Sequence, residues 1–354
     1  MPSSSASPAA CAPPNSPTDN RMAGQIDEFD LIARLFAPLA AGRREALGLL
    51  DDVALIDGPD ATQWAVSCDT IVAGVHFLAD DPPDLIARKL VRVNLSDLAG
   101  KSAVPRFALL AGCFPRDIAI GWLERFAAGL RTDCASYALA LIGGDTVATP
   151  GPLTLSLTVL GELPRDAALL RSGARPGDHI WVSGTLGDAA LGLLVAKGGV
   201  STLSKAHCDA LLQRYRLPQP RLALGRTLRG IAHAAMDISD GLLADLAHLC
   251  AASKLSARID ASLLPISPAA SAALAAGIGD GVATLAGGGD DYELLFTAPP
   301  SADAQLAALA AQLSLQITRI GRMDPGRGVT LVDQAGAPLL IARTGYRHFD
   351  SGAA

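Results

Sequence analysis

No Cys-x-x-Cys pair occurs in this chain; its six cysteines, Cys11, Cys68, Cys113, Cys134, Cys208 and Cys250, are scattered singly. That spacing excludes a zinc site built on paired thiols and a small disulfide scaffold, and it points to a reducing, cytoplasmic compartment. Basic residues are also scarce, with 29 Lys and Arg against 35 Asp and Glu and a formal charge of −6. A nucleic-acid scaffold needs a basic face, so no nucleic-acid partner is expected. No apolar run reaches the roughly 20 residues of a membrane span. The Ser-, Pro- and Ala-rich start lacks the charged and apolar regions of a secretory signal, so residues 1–23 are expected to be a disordered tail. G-x-x-x-x-G-K-[ST], G-x-S-x-G and H-E-x-x-H are all missing, which argues against an ordinary P-loop, an acyl-hydrolase elbow and a zinc-protease helix.

What the chain does have is a 50% hydrophobic composition over 354 residues, enough for two domains with sizeable cores. It also has aspartates placed repeatedly beside apolar runs or glycines. The central stretch is Met236-Asp-Ile-Ser-Asp-Gly-Leu-Leu-Ala-Asp245, a short strand leading through a turn into a helix that Ser239 or Asp240 is expected to cap. The free N–H groups of such a helix start favour phosphate, and carboxylates beside a phosphate imply a bridging cation. Asp51-Asp52, Asp69, Asp97, Asp145 and Asp290-Asp291 repeat the theme. Asp97 falls near the end of a helix opened by Pro82-Pro83, where it opposes the helix dipole by about half a kcal/mol unless a cation neutralises it. His76 stands close to Asp69 and Gly74; that position equally suits a hydrogen-bonded loop histidine.

Taken in order, the chain predicts a helix capped by Asp27 with an apolar side of Phe29, Ile32, Ala33, Phe36 and Leu39. A hairpin of Asp51–Ile56 with Gln63–Val72 follows, and then the Pro82-Pro83 helix. Next come a strand from Arg106, a helix over about 118–137, and a strand Leu139–Ile142 ending in Gly143-Gly144-Asp145, whose glycines would let backbone approach a ligand. Leu153–Leu163 alternates like a half-buried strand. Past Pro164, strand His179–Ser183 leads to Gly184-Thr-Leu-Gly-Asp188, whose glycines either admit a ligand or turn the chain. Helices are expected over Lys205–Tyr215 and Arg221–Ala235. The run Gly287-Gly-Gly reads as a flexible ligand loop before a strand, and the C-terminal part adds a helix over Ala302–Leu313 and short strands through Ile341. This mixture fits an α/β class of the α+β kind.

Gly24-Gln-Ile-Asp-Glu-Phe-Asp, Asp69-Thr-Ile-Val-Ala-Gly-Val-His-Phe, Val93-Asn-Leu-Ser-Asp-Leu-Ala, Ile142-Gly-Gly-Asp-Thr, Arg171-Ser-Gly-Ala-Arg-Pro-Gly-Asp, Met236-Asp-Ile-Ser-Asp-Gly-Leu and Gly289-Asp-Asp-Tyr-Glu-Leu-Leu-Phe together resemble the thiamine-monophosphate kinase family. They stand in the family's order from Gly24 to Phe349. The resemblance implies a phosphotransferase that uses ATP and several Mg²⁺ to convert thiamine monophosphate to thiamine diphosphate. It implies the fold shared with aminoimidazole-ribonucleotide synthetase and selenophosphate synthetase, with domains at 24–164 and 165–349, a short tail at 350–354, and a homodimer formed through the N-terminal sheets. It assigns metals to Asp52, Ser67, Cys68, Asp69, Asp97, Asp145, Asp237 and Asp240, ATP to Gly144, Asp145, Arg171 and Ser239, and the thiamine phosphate to His76, Asp290 and Tyr346.

Three departures bear on these roles. Leu50 precedes Asp51-Asp52 where the family often has Gly. Cys68 stands where Thr is common, and because a thiol is a poor Mg²⁺ ligand its backbone carbonyl or a water is expected to serve. Asp290 replaces a frequent Glu. No obligatory general base is expected, since the acceptor phosphate is already an oxyanion and positioning with charge neutralisation supplies most of the rate. Two other classes stay open: a sister ATP-dependent enzyme of the same fold acting on another acceptor, and a nucleotide-binding protein without catalysis.

Overall fold

The computed structural model describes residues 28–198, 200 and 202–346. The expected tails and Asp27 lie outside these residues. The described chain builds two sheets, each backed by helices.

The first sheet holds β1 (Ala54–Asp57), β2 (Thr62–Val72), β3 (Val104–Pro115), β4 (Ala140–Thr149) and β5 (Thr154–Pro164) in the order β1-β2-β5-β3-β4. β1 and β2 form the predicted hairpin, with Ala54 opposite Val66. In β5 the alternation of Leu155, Leu157 and Val159 with Ser and Thr buries one face, as period-2 patterning requires. Over that buried face lies the helix begun by Pro82-Pro83. Ahead of it α1 is only a four-residue turn (Glu28–Leu31); α2 spans Pro83–Gly100, with Pro at its first position where no N–H is needed, and α3 spans Ile120–Ser136.

The second sheet holds β6 (His179–Ser183), β7 (Ala234–Asp237), β8 (Leu255–Asp260), β9 (Leu294–Ala298), β10 (Ile317–Pro325) and β11 (Gly328–Val332) in the order β11-β8-β10-β6-β9-β7. Its helices are α4 (Asp188–Ala196), α5 (Lys205–Arg216), α6 (Leu222–Thr227), α7 (Leu242–Ser253), α8 (Pro268–Ala275), α9 (Val282–Gly287) and α10 (Asp303–Leu313). One end of α2 reaches this second sheet. A Cβ on Gly100 would lie 3.2 Å from Met236 Cα, and one on Gly225 of α6 would lie 2.1 Å from the Ala99 carbonyl. So α2 runs between the two sheets and is buried along most of its length, from Ile86 to Gly100.

Four expectations need correction. The first helix is broken: after α1 the chain continues as a π-turn over Ile32–Phe36 and a 3₁₀ turn over Ala37–Ala40, and Leu35, Phe36 and Leu39 are exposed. Among the described residues little covers Leu35, Phe36 and Leu39, and Pro38 interrupts the hydrogen-bond ladder. The helix expected over Arg221–Ala235 ends at Thr227; Gly230 takes a left-handed φ of 75°, and Ala234–Asp237 is drawn into β7 by pairing with β9. The Gly143-Gly144 pair lies inside β4, where Gly144 at φ 148° brings its Cα against Leu110 of β3; an added Cβ would sit 1.8 Å from the Leu110 carbonyl oxygen. These glycines serve strand pairing. Finally, Gly287–Gly289 is no open linker: Cβ atoms there would meet the Arg343, Thr284 and Ser239 carbonyls at 2.4, 2.5 and 2.7 Å.

Candidate active site

The site forms where α2, β2 and the turn after β7 meet. Strand alternation turns Ser67 and Asp69 of β2 inward and leaves Cys68 on the other face, exposed and 3.3 Å from Ser156 Oγ. Ser67 Oγ lies 2.5 Å from Asp97 Oδ2 in the last turn of α2 and 3.1 Å from the Asp52 carbonyl. Asp237, at the end of β7, completes a group in which one carboxylate oxygen each from Asp52, Asp97 and Asp237 lies within 4.8 Å of the others.

Two cations hold one corner of this group. Lys101, fully buried just past the end of α2, places Nζ 2.7 Å from Asp51 Oδ1 and 2.5 Å from Asp52 Oδ2, and donates to the Ala235 carbonyl at 2.9 Å. The Arg171 guanidinium pairs with the other Asp52 oxygen, while its main-chain N–H donates to Asp51 Oδ2 at 2.9 Å. Burial alone would raise the Asp52 pKa, but Lys101 and Arg171 outweigh it and hold the carboxyl down at about 2.

Asp69, Asp97 and Asp237 move the other way. Burial, followed by the charges of Asp52 and Asp240, raises Asp69 to about 6. Burial and the charge of Asp52 raise Asp237 to about 7 against a hydrogen bond from Ser96. Asp97 is pushed well above the ordinary range by burial and then by Asp69, Asp237 and Asp52. These carboxyls sit above their unfolded values, so the folded chain holds extra protons between about pH 4 and 7, and its stability falls as pH rises through that window. In chelator, the melting temperature should therefore drop from about pH 5 to about pH 8, and the rise produced by added Mg²⁺ should be larger at the upper pH. Thermal melts with and without metal check this; an Mg²⁺ increment that shrinks with pH contradicts it.

The turn after β7 differs from its expected form. Neither Ser239 nor Asp240 caps α7; Asp245, one turn inside the helix, reaches back to accept from the N–H groups of Asp240 and Gly241 at 3.2 and 3.1 Å. Burial and the nearby Asp240 and Asp237 charges push Asp245 well above the usual carboxylate range. The Ser239 carbonyl instead accepts from Asp290 N–H at 2.8 Å and the Asp240 carbonyl accepts from Tyr346 N–H at 2.9 Å. This stitching gathers the Gly287–Asp290 loop and the chain near Tyr346 around the end of β7. Asp290 and Tyr292 adopt φ of 71° and 49°, a conformation that L-residues take only when their surroundings impose it. Asp291 faces away from the cleft: it is buried, accepts from Gly187 N–H at 2.7 Å, and caps α4. Burial raises it to about 8. The glycines of Gly184–Asp188 thus turn the chain, Gly187 at φ 78°.

His76 Nδ1 accepts from Val72 N–H at 3.0 Å, and the His76 carbonyl accepts from Lys89 Nζ at 2.8 Å; the same ammonium donates to Asp290 Oδ2 at 3.0 Å. His76 and Asp290 are thereby brought together across the two sheets. Asp145 and Gly144 stand apart on the exposed edge strand β4, opposite Ala111 and Leu110, with Asp145 Oδ1 accepting from Thr146 N–H.

Sequence reasoning missed Lys89, Asn94, Lys101 and the bracing role of Asp51. Asn94 Oδ1 accepts from Asp69 N–H at 2.9 Å and so fixes β2 against α2. A signal was present: Asn94, Asp97 and Lys101 stand at i, i+3 and i+7, a polar stripe at helical spacing that runs along the second half of α2 and just past its end.

Both halves of the chain are similar to known proteins. Residues 50–163 match the model of the AIR synthase related protein N-terminal domain, and residues 175–334 match that of the C-terminal domain. The thiamine-monophosphate kinase of Caulobacter vibrioides is 43% identical over 323 residues, covering 91% of this chain and 90% of that protein. Among solved structures, AaThiL complexed with AMPPCP and TMP superposes with a TM-score of 0.80 at 30% identity, covering 92% of this chain and 97% of that one. The thiamine-monophosphate kinase of Stenotrophomonas maltophilia is 42% identical with a TM-score of 0.72, covering 88% and 98%. With this identity along nearly its whole length and both halves of the fold matched, the chain belongs to the thiamine-monophosphate kinase family.

Proposed function

We propose that this protein transfers the terminal phosphoryl group of ATP to the phosphate of thiamine monophosphate, forming thiamine diphosphate and ADP. The observation that carries the reading is the convergence of Asp52, Asp97 and Asp237 oxygens within 4.8 Å at a buried junction of the two sheets. The donors are hard oxygens, which fit a divalent cation such as Mg²⁺ better than a soft metal, and such a cation would offset the crowding of negative charge that raises Asp97 and Asp237. Asp52, Asp69, Asp97, Asp237 and Asp240 would hold Mg²⁺ through carboxylates, Ser67 through its hydroxyl and Asp145 from the edge strand. Cys68 would serve only through its carbonyl, because its thiol faces the other side of the sheet. Bound Mg²⁺ supplies charge neutralisation between the two phosphates.

Gly144, Asp145, Arg171 and Ser239 are the ATP contacts in this reading, and His76, Asp290 and Tyr346 border the acceptor. No residue is assigned as a general base. The domains divide at 24–164 and 165–349. A cytoplasmic homodimer is part of the same proposal: Phe107, Leu109, Leu141, Ile142 and Val147 are exposed on β3 and β4 of the first sheet, an apolar surface at a sheet edge that a second copy would cover.

The test is to measure thiamine diphosphate formed from ATP, Mg²⁺ and thiamine monophosphate, with the mass in solution recorded alongside. Product and a two-chain mass are expected. A folded, ATP-binding protein that makes no product would move the assignment to another acceptor on the same fold.

A further inference from the structure

Lys89 has no part in the assignments above, yet it is a lysine only 2% exposed. Burying an ammonium is costly unless each of its donors is used. Here all three are: Asp290 Oδ2 at 3.0 Å, the His76 carbonyl at 2.8 Å, and the face of Tyr215, whose ring centroid is 4.2 Å away. These partners come from three separate pieces of chain. His76 follows β2 of the first sheet, Tyr215 closes α5, and Asp290 lies in the loop before β9 of the second sheet. Lys89 itself is on α2, the helix that also carries Asn94, Asp97 and the end of which leads to Lys101.

We propose that Lys89 is a positioning residue for the acceptor side of the site, resting on the reading of His76 and Asp290 as acceptor contacts. With its three donors engaged, it has none left for a substrate phosphate, so it acts through Asp290 and the His76 main chain. Asp290 particularly needs such a hold. Its φ of 71° is unfavourable for a side-chain-bearing residue, and it is one methylene shorter than glutamate, so a small shift of its loop moves the carboxylate out of reach. One rigid helix thus aligns the acceptor contacts, through Lys89, with the carboxylate group around Asp97 eight residues further on.

The experiment compares wild type with Lys89→Met, which keeps the stem and removes the charge, alone and combined with Asp290→Asn. Steady-state kinetics for each substrate are paired with direct titration of thiamine monophosphate binding. For Lys89→Met the expected result is an acceptor KM and Kd raised about tenfold or more, with the KM for ATP and kcat changed less than about threefold. The double variant should be little worse than either single one, because both remove the same interaction. The Asp290 side chain keeps 26% exposure, so water can solvate it when the ammonium is gone and folding should survive; Lys89→Gln, which retains a donor, is the second variant if it does not. Equal losses for both substrates, a fall in kcat alone, or additive effects in the double variant would overturn the proposal. Wild type that neither binds nor phosphorylates thiamine monophosphate would instead overturn the functional reading and this role with it, a result plainly different from variants that match an active wild type.

Discussion

Replacing Asp97 by Asn should abolish most thiamine diphosphate formation, by about a thousandfold in kcat/KM, while raising the melting temperature of the metal-free protein. The two effects have one cause. Asp97 sits 9% exposed at the C-terminal turn of α2, against the helix dipole and near Asp52, Asp69 and Asp237. Burial and these like charges make its ionised form costly to keep, so a neutral amide of the same shape relieves the fold and can still accept from Ser67 Oγ. The same amide is a poor ligand for a hard divalent cation and cannot balance its charge. Product assays and melts in chelator on one preparation give both readings. Lost activity with a lowered metal-free melting temperature would indicate that Asp97 holds the structure together, and retained activity would remove it from the metal site.

Lys101→Met should act in the opposite direction on stability. The ammonium is completely buried against Asp51 and Asp52, and its own pKa stays raised, since the two carboxylates outweigh the burial that would lower it. Removing one partner of such a buried network leaves uncompensated carboxylates and costs about 3–5 kcal/mol. For a chain of this size that corresponds to a fall of roughly 5 °C in melting temperature. Arg171 does not replace the lost charge at Asp51, because its guanidinium pairs with Asp52 and it reaches Asp51 only through its main-chain N–H. The variant should recover part of its stability in acid, because Asp52, no longer held down by the Lys101 charge, then takes up a proton in its buried position, a partial rescue that a simple packing defect would not show. A melting temperature within two or three degrees of wild type at neutral pH would mean that the corner is far more solvated than its burial indicates.

Local pattern determined much of this protein directly. The alternation of β5, the hairpin of β1 and β2, the proline start of α2 and the strand-turn-helix around Asp237 follow from short-range rules, because apolar period and backbone restriction act over a few residues. The aspartates at element ends marked the carboxylate group before any coordinates, and the collinear motifs pointed to the family. Local pattern failed where the deciding neighbour is distant in sequence. Ser239 and Asp240 look like caps, but α7 is entered at Gly241, Asp245 accepts from the Asp240 and Gly241 N–H groups, and the Ser239 and Asp240 carbonyls accept from Asp290 and Tyr346. Gly143-Gly144 look like the end of a strand, but β4 runs on through them with Gly144 against the Leu110 main chain, and Gly287–Gly289 look like a flexible linker, but added Cβ atoms there would meet main-chain carbonyls. Cys68 looks like part of a metal-binding run, and only pairing of β2 in the sheet shows its thiol on the far face.

Charge was the least legible property of all. Asp52, Asp97 and Asp237 are the same residue type at or near element ends, yet one is held near 2 and the others are raised. The difference lies in which cations the fold delivers, Lys101 from the end of α2 and Arg171 from beyond the first sheet. Residue spacing determined that carboxylates would gather; only the tertiary structure decided which would be paired, because Coulomb energies depend on distances of a few ångströms that the packing of α2 between two sheets sets.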